Sequence, residues 1–151
     1  MLPELGVIFD AGTGIFRARD LIQTDTLDIF LTHIHLDHCI GLTFLYDVLY
    51  QKEMQRVTVH LAEEKIEAIE KHLFSESLFP VKPNFDFQPL SDRPVALNDG
   101  SQILAIPLDH PGGAADVLRS PCRHDRHTPL TRGLQRRAPH APLAPGELGE
   151  G

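Results

Sequence analysis

The chain has no tryptophan, only two cysteines and two methionines, and an aromatic share of 7% in 151 residues. Cys39 and Cys122 cannot make a disulfide framework, which excludes a small secreted scaffold held by cross-links. Positive charge is also scarce: 14 Lys and Arg face 21 Asp and Glu, for a net charge of -7. An acidic chain without a basic patch is a poor electrostatic partner for nucleic acid. That shortage does not exclude a nucleotide or a small phosphodiester held by bound metal. No apolar run approaches the length of a membrane span, so no membrane partner is expected. The N-terminus lacks a basic segment followed by an apolar one, so no signal peptide is visible and the cytoplasm is the expected location.

What is present is enough for one domain with a core, since 42% of the residues are hydrophobic. Its centre is Thr32-His33-Ile34-His35-Leu36-Asp37-His38. The apolar run Leu27-Asp28-Ile29-Phe30-Leu31 ahead of it reads as a buried strand. Behind it, Leu42, Leu45, Tyr46 and Leu49 fall at helical spacing. The polar cluster therefore occupies a turn from strand to helix. His33 and His35, two apart, can point the same way as the strand runs out, while Asp37 and His38 return from the first helical turn. Imidazole and carboxylate converging on one small volume suit zinc or a similar transition metal.

Upstream, Gly6-Val7-Ile8-Phe9 is a short strand ending in the tight turn Asp10-Ala11-Gly12-Thr13-Gly14. Downstream, Val57, Val59 and Leu61 alternate with Thr58 and His60, predicting a half-buried strand with His60 solvated on its polar face. Residues 62–74 carry Ile66, Ile69 and Leu73 on one helical face, with His72 on the exposed side. After the turn Asn98-Asp99-Gly100, residues 103–106 form a further buried strand. The strands at 6–9, 28–32, 56–61 and 102–108 are expected to share one sheet, with helices at 42–51 and 62–74 covering a face. At the end of the last strand, His110 stands in the tight loop Asp109-His110-Pro111-Gly112-Gly113, placed to reach the same metal. Cys39 reads as a small buried residue.

The pattern His33-x-His35-x-Asp37-His38 resembles the signature of the metallo-β-lactamase superfamily. The turn at 10–14, and a His110 that precedes Pro-Gly-Gly, are similar to its phosphodiesterase and RNase Z-like branch. The resemblance covers roughly residues 5–113. It implies an α/β fold, the N-terminal portion of an αββα sandwich, over residues 1–113. It further implies that His33, His35 and His110 hold one zinc, that Asp37 and His38 hold a second, and that Asp37 also helps orient the nucleophile. For Asp10 two readings stand: a carboxylate beneath the metal site that orients a ligating His, or the cap of a turn.

Beyond residue 113 the composition changes: residues 114–151 hold six Arg and five Pro and lack Ile, Phe, Tyr and Lys. Without a helical or strand period, this reads as a disordered tail, derived from a shifted reading frame or alternative splicing. The family's bridging Asp and late His are not found there, and His124, Asp125 and His127 are not read as replacements. Two functions follow from the resemblance. One is a metal-dependent hydrolase, phosphodiesterase-like, with two zinc ions acting on a small phosphodiester or nucleotide-type substrate. The other is a catalytically incompetent fragment that keeps one zinc position and acts as a binding or structural protein.

Overall fold

A computed structural model describes residues 1–108 and 114–120, except for the side chains of Pro107 and 114–118. Val7–Phe9 (β1), Thr26–Phe30 (β2), Arg56–Ala62 (β3) and Asp86–Leu90 (β4) form a four-stranded parallel sheet in that order. Parallel neighbours need a crossover, and helical segments supply it. Between β2 and β3 run Leu36–Cys39 (α1), a 3-10 segment Ile40–Phe44, and Leu45–Val48 (α2). Between β3 and β4 run Glu63–Ala68 (α3) and the wider turn Ile69–Leu73. Among the described residues, no helix is long and apolar enough to cross a membrane.

Strand alternation sorts the side chains. Ile8, Leu27, Ile29, Val57, Val59 and Leu61 point to the helix-covered face and join Leu42, Leu45, Val48 and Ile69 in the larger core. The opposite face carries Val7 and Phe30, which pack with Leu97 and Ile103 of a second layer. That layer is a three-stranded antiparallel sheet of Val95–Ala96 (β5), Gln102–Leu108 (β6) and Ala114–Ser120 (β7). The layers run helix, sheet, sheet.

Two expectations are corrected here. The strand at 102–108 does not join the sheet of β1 to β3. Gly100, at φ +78°, and Asp99, whose carboxylate accepts from the Ser101 amide at 2.9 Å, turn the chain back on itself. β6 is thereby delivered antiparallel to β5, and no crossover exists to lay it beside a parallel strand. The second correction concerns the expected disordered tail, of which residues 114–120 form β7 and pair with β6 from Leu108↔Ala114 to Gln102↔Ser120. A strand recruited to an edge needs compatible backbone more than a long apolar face of its own. Arg119 adds contacts to Asp99 at 2.6 Å and to Ser101 at 3.2 Å. Residues 121–151, including His124, Asp125 and His127, lie outside the described residues, as does His110.

His60 also departs from expectation. It is 3% exposed, because its side of β3 is covered by the second sheet and not by solvent. Its Nε2 bonds Asp28 at 2.8 Å, and its ring stacks on Phe30 with centroids 4.4 Å apart. Arg56 meets the same carboxylate with two nitrogens, each at 2.8 Å. Burial pushes the Asp28 carboxyl up, but hydrogen bonds from His60 and Arg56 outweigh it and hold the group at about 2.

Candidate metal centre

The site forms where β1 and β2 end, at the carboxyl edge of the parallel sheet, where ligands collect in open α/β folds. Asp10 leaves β1 with φ +56°, a left-handed conformation that Asp tolerates better than most residues. Its amide donates to Phe30 O at 2.9 Å, which holds the carboxylate beneath the loop that leaves β2. Thr32 then donates to that carboxylate twice, through its amide at 2.8 Å and its hydroxyl at 2.9 Å.

Two histidines are oriented from this one carboxylate. His38 Nδ1 lies 2.9 Å from Asp10 Oδ2. A carboxylate can only accept, so Nδ1 of a neutral His38 carries the proton and Nε2 is the unprotonated nitrogen. His33 Nδ1 lies 3.0 Å from Thr32 Oγ1. With the hydroxyl proton directed at Asp10, that oxygen must accept from Nδ1–H, which leaves Nε2 as the unprotonated nitrogen of His33 too. Asp10 thus fixes one tautomer directly and the other through Thr32. The Thr32 role was not read from sequence, and nothing local signals it, because its partner is 22 positions away.

The rings converge. His33 and His38 have centroids 3.9 Å apart, and His33 and His35 stand edge to face at 4.6 Å. The Asp37 carboxylate, 78% exposed, lies 3.4 Å from His38 Nε2, so both turn toward the same volume. Cys39 is buried and its thiol contacts Ile34 O at 3.4 Å; burial pushes its pKa up, with the Asp37 charge adding to it, which makes it a poor ligand. Among the described residues, no three His, Cys, Asp or Glu side chains surround one common metal position. The donor chemistry, three imidazoles and a carboxylate, with the outer nitrogens of His38 and His33 tied to Asp10 and Thr32, still fits a zinc-type ion.

Two glycines lock the loop. A Cβ on Gly12 would fall 2.1 Å from Asp37 O, and one on Gly41 2.3 Å from Gly12 O. The amides of Ala11 and Gly41 close the contact, donating to His38 O at 2.7 Å and to Ala11 O at 2.6 Å. The turn after β1 and the helix start after the His cluster are therefore one interlocked unit.

The family model for class-II cAMP phosphodiesterases matches residues 12–96, more than half of the chain. The chain belongs to that family. Its place is in the phosphodiesterase branch of the metallo-β-lactamase superfamily. The chain is also similar to a solved structure described as a new diphosphatase from the PhnP family, with a TM-score of 0.56 and 20% identity. The alignment covers 75% of this chain and 43% of that one, so the chain spans less than half of the relative's length. A search of curated proteins finds no match.

Proposed function

We propose that this chain is a metal-dependent hydrolase of small phosphodiesters, with zinc held by His33, His35, Asp37, His38 and His110. The observation that carries the reading is the pair of tautomers set by Asp10, which turns the Nε2 atoms of His33 and His38 into one volume at the sheet's carboxyl edge. A metal bound there would supply a water of lowered pKa and a counter-charge for the phosphoryl oxygens. The chain's own residues do the rest. Asp10 and Thr32 would hold the imidazoles of His38 and His33 in the metal-binding tautomer. Asp37, solvent-facing beside His38, accepts a proton or hydrogen bond from an incoming water and orients it. Gly12 and Gly41 keep that carboxylate's backbone fixed against the turn that carries Asp10.

The second reading, a one-zinc protein without turnover, is favoured by one point. Asp37 and His38 are the only protein ligands proposed for the second metal. The test is metal analysis of the purified chain, paired with hydrolysis of an activated aryl phosphodiester with added zinc or manganese. Metal-dependent turnover that His38→Ala abolishes supports the hydrolase. Bound zinc without turnover at saturating metal supports the second reading.

A further inference from the structure

A cleft of about 280 Å³ opens beside the metal centre, and His33 forms part of its wall. Its base is apolar, built from Leu31 and Leu61, both nearly inaccessible, and from Leu90 at the end of β4. Across the cleft stands Lys65, in the first turn of α3. Lys65 is half-buried and, among the described residues, its ammonium has neither a hydrogen bond nor an ion pair. The carboxylates of Glu64 and Asp92 also reach this cleft, but both residues are exposed and solvated at its rim. A lysine on the wall of the cleft whose ammonium has no counter-ion among the described residues can take an anionic group of a ligand.

We propose that Lys65 binds a second anionic group of the substrate. This rests on the phosphodiesterase reading, which places the phosphoryl group at His33 and its companions. A ligand bound there and extending into the cleft meets the apolar side chains of Leu31 and Leu61 and the positive charge of Lys65 on its wall. The substrate class that fits is a phosphoester whose leaving group has a short apolar or aromatic body ending in a carboxylate or phosphate. Simple diesters with two neutral groups would bind through the metal end alone. Lys65 is then a specificity residue and takes no part in bond cleavage.

The experiment compares phenylphosphonate with 4-carboxyphenylphosphonate by titration calorimetry on the zinc-loaded chain. The carboxylate is expected to tighten binding about tenfold, a size typical of one charge-assisted contact. Lys65→Gln should erase that difference and leave phenylphosphonate affinity unchanged; Lys65→Arg should keep it. Lys71→Gln, six residues further on and exposed, should leave both affinities as they are. Equal affinity of the two compounds in the parent chain, or a preference that survives Lys65→Gln, overturns the subsite while leaving the phosphodiesterase reading intact. Failure of phenylphosphonate itself to bind removes that reading and the subsite with it.

Discussion

Asp10 is the residue on which the candidate centre turns, and it received two readings from sequence. Its neighbours Thr32 and His38 are distant in the chain, so only the pairing of β1 with β2 shows that one carboxylate serves both. Asp10→Asn tests this with little change of shape, since Asn also tolerates the left-handed backbone that Asp10 adopts at φ +56°. An amide cannot accept on both sides, so either the His38 or the Thr32 link is lost. Zinc affinity, measured by competition with a chromophoric chelator, is expected to fall roughly tenfold to a hundredfold, as for other residues that orient metal ligands. The thermal unfolding of the metal-free chain should change far less. Unchanged zinc affinity would assign Asp10 to the turn alone. That His33, His35, Asp37 and His38 come together was legible because all four fall in one short loop after a buried strand.

At the scale of elements, the interlock between the turn after β1 and the helix start after the His cluster depends on close backbone approach. Gly41→Ala would put a Cβ 2.3 Å from Gly12 O and 2.5 Å from Ala11 O, and a backbone neighbour cannot rotate away. A loss of about 1–3 kcal/mol in urea unfolding is expected, the range for forced overpacking. Gly14→Ala is the control: nothing lies within 4 Å of its Cβ, so it should be neutral or slightly stabilising. Equal effects of the two would remove the interlock. The elements themselves were partly legible. Apolar runs located β1, β2, β3 and β6, whereas the partner of β6 was not, because alternation carries no information about which sheet a strand joins. His60 was misplaced for a related reason. Alternation with Val57, Val59 and Leu61 marked the His60 face of β3 as polar, and a histidine there looked solvated. The second sheet covers it, and the Asp28–Arg56–His60 network becomes an interior feature joining β2 and β3. Its pH dependence follows from Asp28, whose pKa is lowered from 3.8 to about 2. A depressed carboxyl stabilises the fold fully above its unfolded pKa, and that stability is lost as pH falls through about 2. With a side chain only 9% exposed, the shift is worth about 2 kcal/mol. Urea unfolding at a series of pH values should show this loss between about pH 4 and 2, and Asp28→Asn should flatten that segment of the curve. Parallel curves for parent and variant would mean that other carboxylates govern the acid transition.

At the scale of the whole molecule, helix, sheet and sheet are present, and the chain aligns with 43% of the PhnP-family diphosphatase structure. The two proposed metal positions are not equally provided for. His33, His35 and His110 are the three ligands proposed for the first position, and three ligands with one water complete a tetrahedral zinc site. Asp37 and His38 offer the second position two ligands from adjacent residues. His38 is anchored by Asp10, but the Asp37 side chain is 78% exposed and is fixed only by its neighbour at 3.4 Å. Ordering such a side chain opposes binding, so the second ion should be held far more weakly than the first. The expected outcome is close to one zinc per purified chain, with hydrolysis of an activated aryl phosphodiester appearing only when zinc or manganese is added in excess. His38→Ala should abolish that hydrolysis and leave the first zinc bound, whereas His33→Ala should release it. Two tightly held metals in the purified chain would show that the second position has ligands beyond Asp37 and His38. Absence of hydrolysis at any metal concentration, with one zinc still bound, would leave the chain as a metal-binding protein that holds the family's first site and none of its chemistry.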